Sequence, residues 1–171
     1  MAQRHTVYLK RSAEDVTPEQ LLDAIRAVEW DLVAEACGVP MERISEADEN
    51  LRIENVKPPG FLWYKLRYRP GDWRPVDIER WKTPDEAAGV IGEAIDNLDP
   101  GAAWYAKVRK YLEGCVDTVS GSYGSNLPGE AMAPILASQV CLWLAQQLGG
   151  IICDPCGDWY EPTDGLDFKP L

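Results

Sequence analysis

Cys153 and Cys156 form a C-x-x-C pair, a spacing used by redox dithiols and by half of a zinc site. A thioredoxin-like redox dithiol needs its first Cys at a helix N-terminus, where backbone N–H groups lower the thiol pKa. Residues 157–162, with the sequence GDWYEP, have no helical pattern. A structural zinc ion needs four ligands, and the remaining thiols stand apart on or beside apolar segments: Cys37, Cys115 and Cys141. The sequence therefore predicts no metal and no cofactor.

His5 is the only histidine, so a Ser-His-Asp triad would have to use it. We interpret it as a polar residue near the end of a strand. The sequence GSYGS at 121–125 matches neither the G-x-S-x-G nucleophile turn nor the G-x-x-x-x-G-K-[ST] phosphate loop. Carboxylate pairs can still serve as general acid and base. A small enzyme that uses carboxylates, or Cys153 or Cys156, in a cleft beside residues 121–129 is therefore kept as an alternative.

The chain is strongly acidic, with 28 Asp and Glu against 17 Lys and Arg and a net charge of −11. Such a charge repels nucleic acids and anionic membrane surfaces, and it attracts basic partners over a range that salt shortens. The composition therefore favours the binding of a basic protein and disfavours nucleic acid or membrane as a partner.

Two segments concentrate the acidic residues. Residues 84–100 contain no Lys or Arg, and residues 154–171 contain only Lys169. The second segment also holds aromatic side chains, and aromatic anchors within an anionic rim suit recognition of a basic protein. The acidic residues of the first segment are Asp85, Glu86, Glu93, Asp96 and Asp99.

Two stretches near the C-terminus, EAMAPILASQVCLWLAQQLGG and IICDPCGDWYEP, resemble the closing unit of small acidic immunity proteins from bacterial polymorphic-toxin systems. The pattern is an apolar helix ending in Gly-Gly, a short strand, and a turn with Gly-x-Trp. The resemblance covers roughly a third of the chain. It implies a cytoplasmic, acidic, non-catalytic domain that covers the basic active-site cleft of a toxin, commonly a nuclease.

The leading hypothesis is therefore a non-catalytic immunity protein that binds a basic toxin. A structural or phage-associated adaptor is a further alternative, and the sequence specifies neither the partner nor the oligomeric state. We expect the partner to contact the acidic and aromatic residues of the C-terminal segment: Asp154, Asp158, Trp159, Tyr160, Glu161, Asp164 and Asp167.

Apolar periodicity and capping residues predict the secondary structure around these residues. Apolar alternation or short apolar runs predict strands over 5–10, 51–56, 61–69, 73–81, 115–122 and 151–153. Helical spacing, with Thr17 and Thr83 as N-caps, predicts helices over 17–38, 83–99, 102–111 and 130–148. The basic side chains Lys65, Arg67 and Arg69 are expected to face the acidic ones of the next strand in a hairpin.

The order of these elements mixes hairpins with helices instead of alternating strictly. This order favours a single α+β domain over residues 1–171, with a mainly antiparallel sheet packed against three or four helices. No apolar run has the length of a signal peptide's central region or of a membrane span. An odd number of Cys without a secretion signal indicates reduced thiols, so we expect a cytoplasmic protein.

Overall fold

The computed structural model describes residues 2–56, 62–71, 74–81, 83–124, 131–163 and 168–171. In chain order the elements are β1 (Ala2–Leu9), α1 (Pro18–Arg26), α2 (Trp30–Cys37), α3 (Met41–Asn50), β2 (Arg52–Asn55), β3 (Leu62–Arg67), β4 (Val76–Arg80), α4 (Pro84–Asp96), α5 (Tyr105–Leu112), β5 (Asp117–Gly124), α6 (Met132–Leu148), β6 (Gly150–Cys153), β7 (Trp159–Pro162) and β8 (Phe168–Pro170).

The described strands join into one eight-stranded sheet in the order β2-β3-β4-β5-β1-β6-β7-β8. Every pair of neighbouring strands is antiparallel. β1 and β5 lie at the centre, so the chain begins in the middle of the sheet and adds strands on both sides. The α+β class with a mainly antiparallel sheet, predicted from the sequence, is confirmed.

Helices cover both faces of this sheet. On one side, the α6 face, α1, α2, α3 and α6 pack against strand residues that include Val7, Leu66 and Ile78. On the other side, the α4 face, α4 and α5 pack against Tyr8 and Ile151. Successive strand residues point to opposite faces, so β1 contributes Val7 to one apolar layer and Tyr8 to the other. The helix predicted over 130–148 is observed as α6, which is buried over most of its circumference.

The predicted pairing of a basic strand with an acidic strand is confirmed in the β3–β4 hairpin. Lys65 lies directly opposite Asp77 in the antiparallel register. Arg67 donates instead to Glu54 on β2, with Nε 2.7 Å from Oε1. The charges on the α4 face of these strands therefore partly neutralise one another.

The prediction of one helix over 17–38 is wrong, because the chain turns between α1 and α2. α1 ends with Ala27 as its C-cap, and the indole N–H of Trp30 donates to the carbonyl oxygen of Ile25 in the last turn. α3 was not predicted, because its only buried apolar side chains are Ile44 and Ala47. The described part of the chain therefore has six helices instead of three or four. None of them is both long and apolar enough to span a bilayer.

Candidate functional site

A cavity of about 450 Å³ opens on the α4 face, between α4, the segment before α5, and the β6–β7 turn. Its aromatic lining comes from three elements: Tyr8 of β1, Trp104 before α5, and Trp159 of β7. The Trp159 ring lies 5.4 Å from that of Tyr8 and 6.2 Å from that of Trp104, centroid to centroid, and both contacts are tilted. We call this cavity the aromatic pocket.

Local sequence signals position the helical wall of the aromatic pocket. Thr83 caps α4 and forms a capping box with Glu86, so the start of the helix is fixed. Beyond the end of α4, the Asp99 carboxylate accepts the N–H of Gly101 at 2.8 Å, which closes the turn that leads to Trp104. Because both ends of this segment are anchored by side-chain hydrogen bonds, the pocket wall is held in place.

The charged side chains that line the aromatic pocket are carboxylates. Glu93 lies on the pocket side of α4 and Asp99 lies in the turn after it, and both are exposed. Among the described lining residues there is no Lys or Arg. Asp158 is exposed beside the pocket, between Gly157 and Trp159, but it is not one of the residues that line it. The rim is therefore anionic and the wall is aromatic.

The fold thus brings together the two acidic segments, which are far apart in the sequence. Residues 84–100 supply Glu93 and Asp99, and the segment that begins at 154 supplies Gly157 and Trp159. They meet because β7 adds to the sheet beside β6, underneath α4 and α5. No periodicity in the sequence indicates this contact, since it depends on where β7 joins the sheet.

Asp154 organises the β6–β7 turn. Its Oδ1 accepts the backbone N–H groups of Cys156 at 2.8 Å and Asp158 at 2.9 Å. The Tyr160 hydroxyl donates to Oδ2 across 3.4 Å. An Asx-type turn of this kind satisfies backbone donors with a side-chain oxygen. Asp154 is therefore part of the scaffold of the predicted contact region as well as part of its charge.

The remaining predicted contact residues differ in exposure and in direction. Trp159 is buried, with 6% of its surface exposed, and packs against α5 and α4. Tyr160 lies opposite Ile152 in the register, which places it on the α6 face. Glu161 forms an ion pair with Lys107 of α5, with the nitrogen 3.2 Å from oxygen. Their role in partner binding stays a prediction, and Asp164 and Asp167 lie outside the described residues.

Cys153 and His5 lie in partly buried environments, whereas Cys156 is exposed. Burial raises the pKa of the Cys153 thiol to about 12, so it is protonated at neutral pH, and Cys156 lies in a hairpin turn instead of at a helix N-terminus. Burial also lowers the pKa of His5, whose ring stacks on Tyr123 at 5.8 Å. Within the described residues, no group of three or more His, Cys, Asp or Glu is arranged to hold a metal ion.

A second cavity, of about 380 Å³, lies on the same face of the sheet beside Gly124. We call it the polar pocket. Asp77 and Glu79 project into it from β4, and Arg4, with its guanidinium 2.7 Å from Glu79, also donates to Ser122 at 3.1 Å. Burial raises the pKa of both carboxyls. One oxygen of Asp77, Oδ1, is buried and makes no hydrogen bond to the part of the chain that is described.

A third acidic surface, formed by the helices over 14–50, was not predicted from the sequence. This range contains eleven Asp and Glu residues and only Arg26 and Arg43 as cations. Two large apolar side chains are exposed among them, Leu32 at 55% and Met41 at 45%. The number of Asp and Glu residues over 14–50 is the sequence signal for this surface. It exceeds the number in residues 84–100 and the number in residues 154–171.

No protein-family model, curated protein or solved structure matches this chain.

Proposed function

We propose that the protein is a non-catalytic binding protein that neutralises a basic toxin, in the manner of the immunity proteins its C-terminal sequence resembles. The observation that supports this most is the aromatic pocket, at which both predicted acidic segments meet. Interfaces gain most of their affinity from a few aromatic anchors in desolvated pockets, and gain association rate from complementary charge. An anionic rim around an aromatic pocket combines the two.

The partner that fits this surface is a basic protein whose cationic side chains lie in or around its active-site cleft. With a net charge of −11, the protein attracts such a partner over a distance of about 8 Å at physiological ionic strength. A nuclease fits this description, because its cleft must attract phosphate groups. Covering that cleft would block substrate entry without any catalytic step by the inhibitor.

A paired charge-reversal experiment tests this proposal. The tagged protein is incubated at low salt with an extract of its own cells, and the bound proteins are eluted in a salt gradient. We expect one basic protein to be retained in stoichiometric amount, to be toxic when expressed alone, and to be harmless when coexpressed with this chain. The variant Glu93→Lys with Asp158→Lys should weaken retention about tenfold or more, because it inverts one charge at the rim of the pocket and one in the neighbouring β6–β7 turn.

The matched control changes the same amount of charge on the surface formed by the helices over 14–50. It combines Asp23→Lys with Glu35→Lys, both at exposed helical positions. We expect this control to weaken retention by less than about threefold, through long-range attraction alone. Equal losses of retention in the two variants, or a larger loss in the control, would show that the partner does not bind at the aromatic pocket. If the extract yields no basic partner, the proposed function is wrong.

A second candidate function is a small acid–base enzyme, and the polar pocket is the observation that favours it. Asp77 and Glu79 are two residues apart on one strand and point to the same side, into one cavity. Raised carboxyl pKa values of this kind are common where an enzyme needs a general acid near neutral pH. This candidate places the site beside Ser122, Tyr123 and Gly124, which belong to the range named in the sequence alternative; residues 125–129 lie outside the described part of the chain.

The test of the second candidate is a panel of chromogenic glycosides, esters and phosphates, assayed with the wild type and with Asp77→Asn. Turnover that disappears in the variant would support an enzyme, and absence of turnover in the wild type across the panel would count against it. The variant should stay folded. Burial raises the folded-state pKa of Asp77 above its unfolded value, so stability falls as pH rises through the folded pKa. At neutral pH the amide should therefore be as stable as wild type or more stable, by less than about 1 kcal/mol for this half-buried group.

A further inference from the structure

The aromatic pocket has a lining that neither a purely apolar nor an anionic ligand would use fully. Tyr8, Trp104 and Trp159 give it aromatic walls, and Leu98 with Val90 close its apolar side. An apolar ligand could occupy this space, but it would leave the carboxylates at the entrance without a partner. An anionic ligand would be repelled by the same carboxylates.

The charges around the entrance favour a cation. Glu93 lies along the helical side and Asp99 lies at the end of α4, and both line the cavity. The walls are aromatic rings, those of Tyr8, Trp104 and Trp159. Ring faces carry the negative end of the aromatic quadrupole, and they attract ammonium and guanidinium groups that approach within about 6 Å.

The size of the aromatic pocket also restricts the ligand. A cavity of about 450 Å³ accommodates a small molecule or one extended side chain. Lys and Arg carry apolar stems that pack against aromatic walls while the charged end reaches carboxylates. An alkyl stem against Leu98 and Trp159, with a charged end near Glu93 or Asp99, would therefore use both parts of the lining.

We propose that the aromatic pocket binds an alkyl cation, the end of a Lys or Arg side chain that the basic partner inserts between α4 and the β6–β7 turn. This inference rests on the proposed function for the identity of the partner. It adds the chemistry of one anchoring contact, in which aromatic faces and a carboxylate of the rim, Glu93 or Asp99, hold a single positive charge.

A titration of the full chain with small probes tests the pocket without any partner. n-Butylammonium chloride is compared with n-butanol, its uncharged isostere, at constant ionic strength. The indole N–H signals of Trp104 and Trp159 are followed by ¹H–¹⁵N NMR, and the Trp104 signal is assigned with Trp104→Phe. We expect both indole signals to move on addition of n-butylammonium. Its affinity should be about tenfold higher than that of n-butanol, because a desolvated cation–π contact contributes a free energy of that size.

Isosteric variants separate the local carboxylate from general acidity. Glu93→Gln should weaken binding of n-butylammonium about threefold to tenfold and leave the affinity for n-butanol unchanged, because only the ion pair is lost. Asp96→Asn, at an exposed position of the same helix that does not line the pocket, is the matched control and should change neither affinity. Equal affinities for the two probes in the wild type, or no shift with either probe, would overturn the proposal.

The outcomes also distinguish this inference from the proposed function. Ammonium binding in a protein that retains no basic partner from the extract would support the pocket chemistry and contradict the proposed function. Retention of a partner that is lost in the charge-reversal variant, together with a pocket that does not bind n-butylammonium, would support the proposed function and overturn the alkyl-cation inference.

Discussion

Replacing Asp117 with Ala is expected to lower the free energy of unfolding by about 3 to 5 kcal/mol, as removal of one partner of a buried ion pair does. Asp117 is 2% exposed at the start of β5. Its Oδ2 accepts the Arg80 Nε at 2.9 Å and the backbone N–H of Ala13 at 2.8 Å, while Oδ1 accepts the N–H of Thr118 at 2.8 Å. The substitution would leave a largely buried guanidinium and two backbone donors without their acceptor.

The position of Asp117 explains why the effect should be large. Through Arg80 it ties β5 to β4, and through Ala13 it ties the central sheet to the segment between β1 and α1. Urea unfolding at 25 °C gives the measurement, with Asp117→Asn as the control that keeps one acceptor oxygen. We expect the amide to cost about 1 to 3 kcal/mol, the range for a lost charge-assisted hydrogen bond. An Ala variant within about 1 kcal/mol of wild type would show that the pair does not stabilise the fold.

Gly121→Ala is expected to destabilise the protein by about 1 to 3 kcal/mol, the usual cost of overpacking a close-packed core. A Cβ atom at position 121 would lie 2.9 Å from the Cβ of Ala137 and 3.1 Å from its Cα. Ala137 is fully buried on α6, and a backbone atom cannot move aside as the end of a flexible side chain can. The helix would have to shift away from the centre of the sheet.

The matched control for this substitution is Gly89→Ala on α4. Position 89 is exposed, and a Cβ there would meet no atom within 4 Å. Alanine in a helix interior is more favourable than glycine by about 0.8 to 1 kcal/mol, so this change should raise stability while Gly121→Ala lowers it. Both are measured by urea unfolding, and a neutral result for Gly121→Ala would mean that α6 and β5 are less closely packed than the distances indicate.

The two pockets on the α4 face lie along one strand. On β1, Tyr8 lines the aromatic pocket and Arg4 lines the polar pocket. α4 and α5 cover the end of the strand that holds Tyr8, and the charged end that holds Arg4 is left more open. Partial coverage of a sheet face by two helices therefore creates both candidate sites, one apolar with an acidic rim and one of mixed charge.

Much of the fold could be predicted from local sequence signals. The caps at Thr17 and Thr83 both form capping boxes, and the alternation at Val76 and Ile78 correctly places both side chains in the core. These features depend on residues close in sequence, where spacing and side-chain chemistry decide the structure. β7 was harder to predict, because it depends on pairing with β6 and β8. α2 and α3 were harder to predict because each buries only two side chains, so the apolar period is weak.

By itself, the sequence determined the α+β class, the acidic character, and the identity of the segments that supply Glu93, Asp99 and Trp159. Hydrophobic period, capping residues and charge count carry that information, because each is a property of neighbouring residues. Only the tertiary structure decided that these segments meet around one aromatic pocket and that Trp159 faces inward while Tyr160 lies on the opposite face. The register of β7 against β6 sets both outcomes, since a shift of one residue would exchange the faces of every side chain in the strand.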